Sequence, residues 1–372
     1  MERFDFVIVG AGIAGASIAA QLAPYASVLL LESEAHPGYH ATGRSAAFWS
    51  ETYGGPDVQP LTSASYDFLA NPPGGFSEGS LLSARGELNI GRAEDAALLK
   101  QFEERFAKSG ILMERLDRSA LVERLPALKS DWVNAVSVPS CAEIDVAALH
   151  AGWLAQAKRA GAMLRCNASV KEATRGAAGW EVVTSDSRFG CDILVNAAGA
   201  WADHVAAMAG VREIGIQPFR RTISQLRLGA DVPRDLPLII DINETFYFKS
   251  DGAGGLWLSP HDETPSDPVD AAPDELDIAM AIARLEQVVD WPIRAVTHKW
   301  AGLRSFAPDR LPVYGFDVAQ PDFFWFAGQG GFGIQTAPAA AKIAASAILG
   351  KVADNSVTHI DPGRYSPARF KY

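Results

Sequence analysis

The stretch Phe6-Val7-Ile8-Val9-Gly10-Ala11-Gly12-Ile13-Ala14-Gly15 constrains this chain more than any other. A short apolar run, read as a buried strand, leads at once into G-x-G-x-x-G, and an Ala-rich run read as a helix continues to about Leu22. Val28-Leu29-Leu30-Leu31 is a second apolar run and ends on Glu32. Strand, glycines, helix, strand and acid in register define a βαβ dinucleotide site, which a bare glycine motif would not. Gly10 permits the tight turn, Gly12 admits backbone close to a pyrophosphate, and Gly15 lets helix pack on strand. The helix N-terminus, around Ile13 and Ala14, faces the diphosphate with free N–H groups and partial positive charge. Glu32 is placed to accept hydrogen bonds from an adenosine ribose. This stretch alone leaves NAD and FAD both open.

The remaining classes narrow on composition. At 372 residues the chain has room for two domains and a large core. A net charge of −11 argues against nucleic acid or an anionic membrane as principal partner. Cys141, Cys166 and Cys191 are widely spaced and form no C-x-x-C pair, which fits a reducing compartment with buried thiols. The chain enters its first strand directly, with no targeting segment expected, and no apolar run approaches membrane-span length. Cytoplasmic location is expected, with peripheral membrane association left open. The seven histidines show no ligand spacing, and His261-Asp262-Glu263 reads as a solvated polar loop, so no metal is expected.

Further along, Ser33 to Arg44 is a turn-rich loop leading into Ser45-Ala46-Ala47-Phe48-Trp49, where small residues suggest backbone lying against a flat ligand. Arg85 to Gly91 alternates as a half-buried strand, with Glu87 and Asn89 on one face and Leu88 and Ile90 on the other. Helices are read over Ala93 to Lys108, Ser119 to Leu125 and Asp145 to Arg159. Cys191 to Trp201 gives a buried strand, a small-residue turn and a helix start, a second place where backbone can meet the cofactor. Strand patterns follow at Arg220-Arg221-Thr222, Leu238 to Asp241 and Phe246 to Lys249. Pro273-Asp274 opens an amphipathic helix with Ile278, Ile282, Leu285 and Val289 on one stripe. Phe324 to Thr336 is strand, glycine turn and Ala-rich helix, a second helix N-terminus with glycine approach.

Taken together, the glycine motif with Glu32, Asn196-Ala197-Ala198-Gly199-Ala200-Trp201, Gly302-Leu303-Arg304 and Gly328-Gln329-Gly330-Gly331-Phe332-Gly333-Ile334-Gln335 resemble the D-amino-acid oxidase superfamily of FAD-dependent oxidoreductases. The likeness spans essentially the whole chain, and its closing motif moves the cofactor to FAD. Within the superfamily the chain is most similar to bacterial D-arginine dehydrogenases, through Pro37-Gly38-Tyr39-His40, Thr42-Gly43-Arg44-Ser45-Ala46-Ala47, Thr52-Tyr53-Gly54, Asn71-Pro72-Pro73, Glu87, Phe246-Tyr247 and Trp300 to Phe306. No cysteine lies near Gly302 to Asp309, where a related branch tethers its flavin, so non-covalent FAD is expected.

The resemblance implies an α/β fold. It has a discontinuous Rossmann-like FAD-binding domain (1–82, 145–213 and 318–372) and a mixed-sheet α+β substrate domain (83–144 and 214–317). It implies FAD contacts at Gly10, Gly12, Ile13, Ala14, Gly15, Glu32, Ser33, Thr42, Arg44, Ser45, Ala46, Ala47, Val170, Ala198, Gly199, Gly330, Gly331, Gly333, Ile334, Gln335 and Thr336. The implied reaction oxidises a D-amino acid by hydride transfer to FAD; the imino acid then hydrolyses to a 2-oxo acid and ammonia. A D-arginine-like or D-lysine-like substrate is one candidate.

Such a reaction needs a clamp for the carboxylate, and guanidinium serves best through bidentate charge-assisted bonds. Arg304 is the first choice and Arg221 the second, with Tyr53 and Tyr247 as phenolic partners supported by the resemblance. Gly302 and Gly331 leave carbonyls accessible to an amine. Glu87 would pair with a basic side chain at the far end, the alternative being a solvated strand charge. Phe48 stands where the D-arginine enzymes carry histidine, so with Leu238 and Ile240 it makes that wall apolar. Glycine, sarcosine or a cyclic imino acid as substrate stays open, as does a flavin subunit needing a partner. The resemblance implies a FAD-dependent D-amino-acid dehydrogenase, with the electron acceptor, oxygen or a quinone-like compound, left open.

Overall fold

In the computed structural model, residues 1–370 are described; Lys371 and Tyr372, the end of the third expected FAD-domain segment, lie outside the described residues. The strand Glu2–Val9 is central to an eight-stranded sheet, parallel to Val28–Leu31 on one side and to Arg188–Asn196 on the other. The outer edge of Arg188–Asn196 is divided. Its first half pairs antiparallel with Gly179–Thr184 and its last residues pair parallel with Phe323–Ala327.

Both faces of this sheet are covered, which is why its strands read as continuous apolar runs. Phe6, Ile8, Val28, Leu30 and Val195 face one core shared with the helices Ile13–Leu22, Val146–Arg159 and Gly333–Leu349. Val7, Val9, Leu29, Leu31 and Leu194 alternate into the other. The ends of these parallel strands carry the glycine turns, where open α/β sheets bind ligands.

A nine-stranded mixed sheet forms the second layer. From Gln217–Leu228 it runs through Gly255–Ser259, Tyr247–Ser250 and Leu238–Asp241 to Glu87–Arg92 and Trp132–Val138, with Ile293–Phe306 paired along the full length of Gln217–Leu228. One face packs Leu88, Ile90, Ile239, Phe248, Leu256 and Leu258 against the helix Glu275–Val288. That helix begins where Asp274 accepts hydrogen bonds from Leu276 and Asp277 N–H, as an N-cap should. The opposite face roofs a cavity.

Two details differ from the sequence reading. The strand expected to be half-buried starts at Glu87 and is buried on both faces, because the polar face of Glu87 and Asn89 meets a walled cavity rather than solvent. On the helix Glu275–Val288, Val289 is the C-cap and not part of the helical stripe. The architecture is α/β: a Rossmann-like core assembled from discontinuous segments, with a mixed-sheet α+β layer over it.

Candidate cofactor cradle and substrate cavity

The first cavity, about 400 Å³, opens where the central strand ends, and Gly10, Gly12, Ile13, Ala14, Glu32 and Ser33 line it. Gly10 has φ +99°, and a side chain there would bring Cβ within 2.6 Å of the Ala197 carbonyl oxygen. A Cβ at Gly15 would lie 1.8 Å from the Gly10 oxygen, so only glycine lets the helix Ile13–Leu22 sit this close to the turn. The Ala11 N–H donates to Glu32 Oε2 (3.0 Å), and the Glu34 N–H donates to Oε1 (3.0 Å). His150 Nε2 bonds the Ala11 carbonyl (2.9 Å), so the turn is held at both its backbone groups. Burial depresses the His150 pKa, which favours the neutral imidazole as that donor.

Val170, Ala198, Gly199 and Gly330 complete the walls of this cavity together with His40, Trp201, His204 and Met208. A narrow, glycine-lined opening at a helix N-terminus, an acidic residue at the next strand end and a long apolar continuation fit a dinucleotide.

The second cavity, about 510 Å³, adjoins the first and shares Ile13, Thr42, Arg44, Gly302, Leu303 and Gly330 with it. Its roof is the free face of the nine-stranded sheet, and strand register dictates what that face displays. Arg221 pairs with Gly302 and Phe219 with Arg304, so Arg221 and Arg304 are diagonal neighbours on one face. Ile240 pairs with Tyr247 and with Asn89, and Leu238 pairs with Glu87, which carries the same face across to the far end. Four strand steps separate the Arg221 strand from the Glu87 strand, about 19 Å at ordinary spacing. The cavity is therefore elongated, with guanidinium groups at one end and a carboxyl group at the other.

At the basic end, a Cβ at Gly331 would lie 1.8 Å from the Tyr53 hydroxyl and 3.0 Å from Arg304 Cζ, so both side chains converge on bare backbone. The Arg304 guanidinium lies 5.6 Å from the Tyr53 ring centre. Among the described residues Arg304 has no hydrogen-bonded carboxylate partner; it is half-buried and lines the cavity. Burial opposes its charge, yet Tyr53, Tyr247, Glu263 and Asp262 hold its pKa above the ordinary value. Arg221 is 4% exposed; burial and the charge of Arg304 lower its pKa.

His261-Asp262-Glu263 is the clearest correction to the sequence reading: Glu263 reaches solvent as expected, but the His261 and Asp262 side chains are turned into the fold. The Asp262 carbonyl accepts from Arg221 Nε (2.8 Å) and Glu263 Oε1 from Arg221 Nη2 (3.3 Å). The Asp262 carboxylate accepts from Thr222 N–H (2.7 Å) and Thr222 Oγ1 (2.9 Å). The His261 ring stands edge-on to Tyr247 at 5.6 Å, in the left-handed backbone region at φ +56°. Burial, then the charges of Arg221 and Arg304, drive its pKa down to about 2. Successive polar residues signal solvent only when no sheet face covers them, and here one covers His261 and Asp262.

At the far end Glu87 is 2% exposed and accepts from Ser50 Oγ (2.7 Å), Asn89 Nδ2 (2.8 Å) and Thr52 Oγ1 (3.3 Å). Burial pushes its carboxyl pKa up against these donors. It is not the solvated charge of the alternative reading. Phe48, Leu238 and Ile240 line the same cavity. Lys249 approaches the Phe48 ring to 5.2 Å but is ion-paired with Glu143.

The expected cofactor residues Ser45, Ala46, Ala47, Gly331, Gly333 and Ile334 line the second cavity, not the first. Gly15, Gln335 and Thr336 line neither. Gln335 instead braces the Phe48 to Tyr53 segment, accepting from Ser50 N–H (3.1 Å) and donating to Thr62 Oγ1 (2.9 Å) and the Tyr53 carbonyl (3.3 Å). Thr336 bonds the Phe332 carbonyl within its own helix. Thr42 Oγ1 accepts the Ile13 N–H (2.9 Å), and Arg44 ties its loop to the Ala271 and Ala301 carbonyls and to Asp270. Sequence reasoning missed His150, Ile223, His261, Glu263 and Arg310, none of which belongs to a motif. Among the described residues no cluster of His, Cys, Asp or Glu is arranged to hold a metal ion. No helix there is long and apolar enough to cross a membrane.

Comparison with known proteins identifies the family. The description DAO, FAD dependent oxidoreductase, matches residues 5–347, and the chain belongs to that family. FAD is accordingly its cofactor. Human mitochondrial dimethylglycine dehydrogenase is 25% identical over 397 residues, covering 98% of this chain and 44% of that protein. The chain spans about half or less of the length of the curated relatives it matches. Among solved structures, L-proline dehydrogenase from P. horikoshii shares 22% identity with a TM-score of 0.84, covering 99% of this chain and 98% of that one. Glycine oxidase from Geobacillus kaustophilus shares 21% identity with a TM-score of 0.84 over 100% of both chains. These two likenesses establish the fold.

Proposed function

We propose that this protein oxidises an amino acid at its C–N bond, with a D-amino acid as substrate. The observation that carries the reading is Arg304: a guanidinium without a hydrogen-bonded carboxylate partner among the described residues, beside Arg221 on one sheet face, at one end of an elongated cavity. Such a pair suits a carboxylate, which guanidinium groups hold through charge-assisted hydrogen bonds. FAD, when bound, supplies the two-electron acceptor. Arg304 and Arg221 grip the carboxylate, and Tyr53 and Tyr247 offer hydroxyl donors to the same group. The carbonyls of Gly302 and Gly331 are acceptors for the amine. The surroundings that hold His261 neutral, burial first and then two guanidinium charges, also favour a neutral amine. No dedicated base is assigned. The imino acid hydrolyses in water to a 2-oxo acid and ammonia.

The D configuration and a basic side chain rest on the resemblance to D-arginine dehydrogenases and on Glu87 at the far end of an elongated cavity. A second reading draws on Glu87 being satisfied by neutral donors beside Phe48, Leu238 and Ile240. That wall suits an apolar side chain, or a glycine-like, sarcosine-like or cyclic substrate. We further propose non-covalent FAD and a cytoplasmic enzyme. We assign 1–82, 145–213 and 318–372 to the FAD-binding domain and 83–144 and 214–317 to the substrate domain.

An anaerobic flavin-bleaching screen over paired D- and L-amino acids, glycine, sarcosine and proline tests the proposal. Fast bleaching by D-Arg or D-Lys supports Glu87 as the reader of positive charge, and Glu87→Leu should then abolish that preference. Bleaching by apolar D-amino acids keeps the reaction and assigns selectivity to Phe48, Leu238 and Ile240. Bleaching by glycine, sarcosine or proline alone favours the second reading. A yellow protein that none of them bleaches would refute the amino-acid reading. Reoxidation of the bleached enzyme by oxygen or by a soluble quinone identifies the acceptor class.

A further inference from the structure

Glu263 joins the buried clamp to the cavity mouth. Its Oε1 accepts from Arg221 Nη2 at 3.3 Å, while Oε1 and Oε2 both accept from Arg310 Nη2, at 2.8 and 2.9 Å. Arg221 is 4% exposed on its side chain and Arg310 51%, so one carboxylate bridges an interior cation and a mouth cation. The bond to Arg221 is the longer and single one. Arg310 is held by stacking over the Phe306 ring at 3.9 Å, in a left-handed backbone conformation at φ +65°. Arg221 meanwhile keeps Nη1 without a partner, while its Nε stays anchored on the Asp262 carbonyl (2.8 Å) whatever Glu263 does.

We propose that Glu263 is a resident counter-carboxylate of the clamp. It neutralises Arg221 before substrate binds and is displaced wholly onto Arg310 by the incoming carboxylate. Glu263 therefore sets the affinity for carboxylate ligands without touching the reacting atoms. This rests on the reading of Arg221 and Arg304 as the carboxylate clamp. A like charge near the clamp weakens a carboxylate ligand, so removing it should tighten binding. A residue that merely held Arg221 in place would do the opposite when removed.

The test titrates the oxidised FAD-loaded enzyme with benzoate and with acetate, following the visible flavin spectrum. Glu263→Gln should lower the benzoate Kd roughly 10-fold, as loss of one nearby charge in a partly screened site predicts. Arg310→Met should raise it, because Glu263 then stays on Arg221. In the double variant the Arg310→Met effect should vanish, since Arg310 acts through Glu263. Retained flavin and an unchanged melting curve show that each variant is folded. An unchanged or higher Kd in Glu263→Gln overturns the counter-carboxylate role but leaves the clamp standing, provided Arg304→Met abolishes binding. If neither wild type nor Glu263→Gln responds to carboxylates, the clamp and this inference fall together.

Discussion

The cofactor cradle and the substrate cavity touch, yet they are made of different material. The cradle is backbone: Gly10, Gly12 and Gly15 bring turn, helix N-terminus and strand together, and Glu32 and His150 hold the Ala11 amide and carbonyl. The cavity is side chain: Arg304, Arg221, Tyr247, Ile240 and Glu87 come from five strands whose register turns them to one face. Backbone sites tolerate almost no added atom, because a Cβ has nowhere to go. Side-chain sites tolerate exchange, because a face of the sheet survives when one residue on it changes. The cradle is thus suited to one ligand and the cavity to exchange of its lining, and of the non-glycine left-handed residues Glu244, His261 and Arg310 line the cavity while Ala127 and Asn167 do not.

That contrast breaks most visibly at Gly15. Gly15→Val would drive Cβ into the Gly10 oxygen, and the destabilisation should reach at least about 3 kcal/mol. Loss of bound flavin and of a cooperative melt would report it; a yellow, stable variant would refute a cradle limited by backbone. Arg304→Met should cost far less stability. The surroundings hold its pKa above the ordinary value, so the fold favours the guanidinium charge and Tm should fall slightly. Meanwhile kcat/KM with the best substrate should fall roughly 100-fold or more. A loss of stability as large as that of Gly15→Val would mean that Arg304 is structural.

His261→Gln isolates the field of the clamp. The folded-state pKa of His261 is depressed from 6.5 to about 2, so its neutral form contributes stability above pH 6.5 that is lost as pH falls toward 2. Below pH 6.5 the wild type should lose about 1.4 kcal/mol per pH unit more than His261→Gln. Equal acid slopes would show that the histidine is solvated after all. Glu87→Gln should produce the smallest effect. Burial raises the Glu87 pKa above 4.5, so the proton it keeps favours folding at low pH and that contribution fades as pH rises. The variant should match wild type below pH 4.5 and gain a small advantage in Tm above it.

The βαβ unit was legible because every part of it is local: strand, glycines, helix and acid lie within residues 2–32. The alternation around Glu87 correctly separated its two faces, whereas nothing in the sequence placed Arg221 and Arg304 on one face of the sheet, which strand register does. His261-Asp262 was misread because hydrophilicity describes a residue's preference and not its neighbours; Glu263 beside them is exposed as expected. The Gln335 amide is taken up by Ser50, Thr62 and Tyr53, contacts between segments far apart in the chain that no local pattern announces. His150 sits in an ordinary helix, and nothing in that helix announces that its ring meets the first glycine turn.

By itself the sequence determined the dinucleotide cradle and the family, since backbone geometry at glycines and strand ends is written in adjacent residues. Which polar side chains share one dry cavity, and so which charges stay unpaired, neutralised or held neutral, was decided by strand register between distant segments. Burial and Coulomb interactions depend on distance in space, and only the folded sheet fixes that distance.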